Sequence, residues 1–197
     1  LKVVSGTPKE FNGRFVNDGN LTWETTDQFT LSGSGTTFVN RGLLDIAADA
    51  RIHPISSNIS FENIGTLRKS GGSGITVINS TFVNRAGAHL DATSGFIQYN
   101  GATTFEAGTV FLASNGGQHV FDTNAITYYF NGAFSAPDHS LAFLDGTYLN
   151  AGPSPLTLPG NFQWNGGTFR GDWHVDEGKN LKVVSGTPKE FNGRFVN

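Results

Sequence analysis

Along most of the chain, apolar residues alternate with polar ones or fall in short runs closed by Gly or Asn. Leu44-Asp45-Ile46, Leu90-Asp91-Ala92, Ile75 to Ile78 and Ile126 to Phe130 are examples. A period of two over a few positions predicts short β-strands with one face toward a core. No segment sustains the 3.6-residue period over about 11 residues, so no helix is expected. The local order this pattern dictates is strand, tight turn, strand, turn, strand.

A recurring phrase organises the alternation: FVNDG at Phe15, FVNRG at Phe38, FENIG at Phe61 and FVNRAG at Phe82, spaced nearly evenly along the chain. A Leu follows six places after the first three, at Leu21, Leu44 and Leu67; after the fourth it follows at eight, as Leu90. Looser echoes continue as FEAG at Phe105, FNG at Phe130, YLNAG at Tyr148 and GTFRG around Phe169, until Phe195 closes the series. The eight steps from Phe15 to Phe195 average about 22.5 positions each, the size of one solenoid turn. The expected fold is all-β, a parallel β-helix (β-solenoid) of about 8 coils of about 22 residues per unit. An antiparallel sandwich or barrel also uses short strands, but gives no reason for a phrase at nearly constant spacing.

In such a stack each strand pairs with its equivalents above and below at about 4.8 Å, and like side chains form columns. The predicted ring column is Phe15, Phe38, Phe61, Phe82, Phe105, Phe130, Tyr148 and Phe169, beside a column of Leu21, Leu44, Leu67 and Leu90. Asn17, Asn40, Asn63 and Asn84 are expected to form an amide ladder. Gly19, Gly42 and Gly65, two places later, are expected to supply positive φ in the turn. Ser70 to Gly74 and Pro153-Ser154-Pro155 read as loops.

A longer repeat lies above the coil. Residues 1 to 17, LKVVSGTPKEFNGRFVN, recur unchanged at 181 to 197. The domain reading is therefore one tandem-repeat unit over 1–180 and the start of the next identical unit over 181–197. With Leu at position 1 and no Met, the chain reads as a piece of something larger.

The FVNRG-x-L-D-I phrase resembles the Asn-x-Gly-x-Leu repeats of large bacterial surface and secreted proteins of the filamentous-haemagglutinin and autotransporter-passenger type. The resemblance covers residues 11 to about 112 and is looser beyond. It implies a right-handed parallel β-helix, export to the cell surface or the extracellular space, and service as an adhesin or fibre. It carries over no catalytic residue, because the matched positions are turn and core positions.

Composition narrows the chemistry. With 13 Lys+Arg against 16 Asp+Glu and a net charge of -3, the chain lacks the basic surface a nucleic-acid partner requires. No apolar run reaches the roughly 18 residues of a membrane span. Without cysteine there is no disulfide, thiolate nucleophile or Cys-ligated metal. Asp45, Asp49, Glu106, Asp176 and Glu177 are the carboxylates available for glycoside hydrolysis, which needs a facing pair. They form no recurring cluster, and Asp45 and Asp91 read as solvated outer-face residues. His53, His89, His119, His139 and His174 show no ligand spacing and read as isolated surface residues. No phosphate loop, calcium nonapeptide or nucleophile elbow occurs. Thr pairs at 25–26, 36–37 and 103–104 are too irregular for an ice-binding array. Asn20, Asn58 and Asn79 begin glycosylation triplets.

The function expected is structural, with no enzymatic activity, no cofactor and no metal: a repeat unit of a long extracellular filament, stalk or sheath fibre. Its partners are identical units end to end, with lateral filament contacts and an adhesive role as further options. The alternative is a carbohydrate-binding or carbohydrate-cleaving β-helix module, with Trp23 as the exposed aromatic platform.

Overall fold

A computed structural model describes residues 1–4, 6–184 and 186–197. Strands are the only regular elements among the described residues, and the strand pairings are parallel. One coil is typified by Leu43–Ile46, Arg51–Pro54 and Ser60–Asn63, here the first, second and third sides. Each side pairs with its counterparts in the coils below and above: Leu43–Ile46 lies between Asn20–Trp23 and Thr66–Lys69. The chain is a parallel β-solenoid, as the repeat predicts. Where the corner between second and third sides is open, the two merge into long strands such as Phe29–Asn40 and Gln118–Phe130.

Registers show which residues stack. On the first side, Leu21, Leu44, Leu67 and Leu90 form one column, continued by Phe111. On the third side, Phe15, Phe38, Phe61 and Phe82 are in register. The next places in that column belong to Thr103, Tyr128, Tyr148, Phe169 and Phe191. The column thus climbs from Phe15 to Phe191 in eight steps, each the length of one solenoid turn.

Two columns depart from the sequence reading. Phe105 and Phe130 lie opposite Asn84 and each other, in the asparagine row, while Thr103 and Tyr128 hold the ring places. The cause is the longer turn after Asn84. Asn84-Arg85-Ala86-Gly87 is matched one coil later by Phe105-Glu106-Ala107-Gly108, so Phe105 takes the place of an asparagine at the mouth of the same turn. Phe195, expected to return to the ring column, lies opposite Trp173 on the first side.

The glycines of the phrase have a different purpose from the one expected. Positive φ is absent at Gly19, Gly42 and Gly65. A Cβ at Gly65 would collide with the carbonyl oxygens of Gly42 and Arg41, and one at Gly42 with that of Gly19. Successive turns stack backbone on backbone, and only a missing side chain permits that approach.

The interior is filled by aromatic rings. Phe15 and Phe38 stack with centroids 5.2 Å apart and planes 8° from parallel, while Phe38–Phe61 and Phe61–Phe82 meet edge to face at 5.2 and 4.9 Å. Such pairs contribute about 0.5–1.5 kcal/mol each beyond the area they bury.

Candidate functional site

The most ordered polar constellation lies inside the stack. Asn17 Nδ2 donates to Asn40 Oδ1 at 2.7 Å, Asn40 to Asn63 at 2.8 Å and Asn63 to Asn84 at 2.7 Å. Each amide also donates to a backbone carbonyl of the turn above: Leu43 O, Thr66 O and His89 O, at 2.9, 2.9 and 3.0 Å. All four asparagines are buried. The ladder ends at Asn84, whose Nδ2 donates to Thr109 Oγ1 at 3.0 Å, because Phe105 occupies the next rung. The row ties turn to turn.

A second buried chain of polar groups crosses the stack at mid-length. Tyr128 OH donates to Tyr99 O at 2.8 Å, Tyr99 OH lies 2.9 Å from His119 Nδ1, and His119 Nε2 lies 2.9 Å from Leu112 O. A carbonyl only accepts, so Nε2 carries the proton and Nδ1 accepts from the tyrosine. His119 is fully buried, not on the surface as the sequence suggested. Burial pushes its pKa down to about 4, against weaker opposing contributions from the Leu112 carbonyl and Asp91. Burial likewise drives the Tyr99 hydroxyl well above its ordinary range. The alternation that would have flagged His119 is legible in the sequence: Ile97, His119 and Leu141 share one inward column.

The carboxylates are dispersed, and Asp49, Asp91, Glu62, Glu106 and Asp138 are engaged in ion pairs. Arg68 sits in register between Asp45 and Asp91, and its Nε bonds Asp91 Oδ2 at 2.9 Å. Asp91 is 7% exposed, covered by that arginine instead of solvated, and Asp45 Oδ1 is buried without a partner. Arg85 bridges Glu62 and Glu106 at 3.0 and 2.8 Å, and the two carboxylates, Glu106 first, hold its pKa up. Asp49 pairs at 2.7 Å with the ammonium of Lys69, whose side chain is completely buried. Burial opposes ionisation of Asp49, yet the bonds from Lys69 and Gly74 N leave its pKa below the ordinary value. Residues 70–74, read as a loop, wrap this pair: Gly71 O accepts from Lys69 Nζ at 2.6 Å. Asp176 turns back on itself, accepting from Glu177 N at 3.0 Å. Asp138 on the surface is drawn down to about 2 by Asn161, through backbone and side chain, and by Lys179. Among the described residues no group of three or more His, Cys, Asp or Glu side chains could hold a metal ion.

Trp23 is not the exposed platform that the sequence suggested. It is fully buried, its ring stacked on Phe29 at 4.7 Å and 6° and its Nε1 donating to Asp27 O at 3.2 Å. The alternation turns it inward with Leu21, two places earlier. Trp164, Trp173, Tyr99 and Tyr128 are buried as well; Tyr129 is the exposed one. An open groove of about 470 Å³ runs along the outer surface of the second side, lined by Phe96, Gln98, Gln118, Asp122, Val120 and Gln163 among others. Sequence reasoning passed over it because its walls come from successive coils, so that neighbours across the groove are distant along the chain.

No family model, no curated protein and no solved structure matches this chain in comparison.

Proposed function

We propose that the chain is a structural repeat unit of a long extracellular β-solenoid, serving as a filament, stalk or sheath fibre, with no enzymatic activity. The observation that carries this reading is the unaltered recurrence of residues 1–17 at 181–197, in a fold whose coils add one upon another through parallel ladders. Parallel pairing along one axis lets identical units concatenate while the ladders continue, so axial load is shared by the strands of every coil. The buried asparagine ladder and ring columns supply stiffness. Engaged carboxylates in scattered ion pairs favour a scaffold over a hydrolase. A bacterial cell-surface or secreted setting follows from the resemblance of the Asn-x-Gly-x-Leu phrase alone.

The test is the axial repeat of native full-length material by fibre diffraction or electron microscopy. A meridional spacing near 4.8 Å, with a longer period of about 39 Å for eight coils, is expected. Discrete globular particles without either spacing would overturn the reading.

A second reading, a carbohydrate-binding module, is favoured by one observation: the open groove, whose walls combine amides with Phe96 and Val120. Saturable binding of a polysaccharide that Gln118→Ala abolishes would establish it; a silent glycan array would remove it.

A further inference from the structure

The segment present twice is held in two different frames. In the first copy, Lys2 and Val3 pair on the first side with Thr22 and Trp23, Phe11 lies opposite Leu31, and Phe15 opposite Phe38. In the second copy, Lys182 and Val183 pair on the second side with Gln163 and Trp164. Phe191 then takes the ring place opposite Phe169, and Phe195 moves round to the first side, opposite Trp173. Each paired segment of the second copy lies ahead of its twin around the coil.

The turn that leads into the strand does not distinguish the copies, although Lys9–Asn17 is one continuous strand and its twin is split into Lys189–Asn192 and Phe195–Val196. Lys9 Nζ bonds Thr7 O at 2.9 Å and Lys189 Nζ bonds Thr187 O at 3.1 Å, the same turn in both. The neighbours differ. The first copy is set by the coil above it, residues 20–40, and the second by the coil below, residues 162–175. Two Phe residues four apart give each neighbour a ring to draw into the column.

The frames satisfy different groups. Asn17 is buried and bonded to Asn40 and Leu43, whereas Asn197 is exposed. Phe15 stacks on Phe38, whereas Phe191 is 48% exposed. A Cβ on Gly13 would meet open space, but one on Gly193 would collide with Gly171 O. A following unit would bring its own counterparts of Phe38, Asn40 and Leu43, and these match the frame of Phe15 and Asn17.

We propose that the C-terminal coil, the start of the next identical unit, is the docking surface for the remainder of that unit, and that docking slides residues 189–197 by four positions, replacing Phe191 with Phe195 in the ring column. This rests on the tandem-array reading above. The numbering agrees: the sequence repeat returns Phe15 as Phe195, whereas eight coil steps bring the ring place to Phe191, four positions earlier. The shifted step, from Phe169 to Phe195, is only one position longer than the step from Thr103 to Tyr128 that the fold already holds. Each junction in an array therefore carries a coil that two neighbours pull into different frames.

Cysteine pairs read the frame directly, since the chain contains no cysteine and adjacent strands bring Cα atoms within disulfide reach. Thr168 lies opposite Glu190 now and would lie opposite Arg194 after the shift. T168C/E190C and T168C/R194C are each made in the 197-residue chain and in a chain continued after Asn197 by the sequence of residues 18–63. S60C/T81C, facing each other mid-stack, is the control. The expected result is a 168–190 link in the shorter chain, and its loss in favour of a 168–194 link in the continued chain. Retention of the 168–190 link in a continued chain whose added residues resist protease would overturn the frame shift and leave the array reading standing. Added residues that stay protease-sensitive would overturn the array reading, and the proposal with it. Failure of both junction pairs while the control closes would overturn the proposal alone.

Discussion

At the residue scale, the asparagine ladder and His119 show how an interior can be polar without being functional. Asn63 uses its whole amide: Oδ1 accepts from Asn40, and Nδ2 donates to Asn84 Oδ1 and His89 O. Asn63→Ala orphans groups on both neighbours, and each buried unsatisfied group costs about 1–3 kcal/mol, so a loss of about 2–4 kcal/mol is expected in urea unfolding. Asn17→Ala, with a ladder partner on one side only, is expected to cost less, and equal losses would show that the ladder does not act as a row. His119 makes stability depend on pH. Its folded pKa is about 4 against an unfolded value near 6.5, so between those values the unfolded chain binds the extra proton. Stability from this group is full above pH ~6.5 and falls as the pH drops toward ~4, by about 3 kcal/mol in all. His119→Leu is expected to flatten the denaturation midpoint between pH 7 and 4. An unchanged slope would place the dependence elsewhere.

At the element scale, the turns decide both what the sequence could show and what it hid. The first three phrases share their turn and the fourth keeps their Phe and Asn, so the Phe, Asn and Leu positions were legible from spacing, and the registers place them in columns. After Asn84 the turn lengthens, and a reader who keeps counting from Phe to Phe lands on Phe105, two places off the column. Alignment on the turn itself, Arg85-Ala86-Gly87 with Glu106-Ala107-Gly108, recovers the register, and the Arg85–Glu106 pair at 2.8 Å joins those two turns. Trp23 and His119 were misplaced for a related reason. Nearness to a turn suggested surface for Trp23 and isolation from other histidines did so for His119, but in a strand the parity of the position decides the face. Gly65 offers a test of the turn stack. Gly65→Ala forces a methyl against the carbonyls of Gly42 and Arg41, an overpacking cost of about 1–3 kcal/mol. Gly19→Ala, with nothing within 4 Å, is expected to be neutral or to stabilise slightly, by up to about 1 kcal/mol. Thermal unfolding of the two variants side by side separates close approach from any need for positive φ, which would penalise both.

At the scale of the whole molecule, a stack of parallel coils has two unlike ends. One presents the free edges of Lys2–Val3 and Lys9–Asn17; the other presents those of Leu181–Val183, Lys189–Asn192 and Phe195–Val196. Unpaired edges template further pairing, and here apolar residues accompany them: Leu1 and Val4 at one end, Val183 and Phe191 at the other. Because the ends differ, the array reading proposed above requires contact between copies to run head to tail without closing on itself, so that growth would be open-ended. The 197-residue chain is therefore expected to lengthen with concentration in sedimentation velocity. Val4 and Val183 are 53% and 59% exposed, so a lysine at either place disturbs an edge without entering the core. Val4→Lys blocks one end and Val183→Lys the other; each variant alone keeps one competent edge with no competent mate and is expected to stay monomeric. Mixed, they still offer one intact pair of edges, the C-terminal edge of the Val4→Lys chain and the N-terminal edge of the Val183→Lys chain. The mixture is expected to form dimers and nothing longer. Longer oligomers in the mixture, or dimers of either variant alone, would show that association runs through the lateral faces instead of the ends. A parent chain that remains monomeric at high concentration would show that the free edges do not recruit.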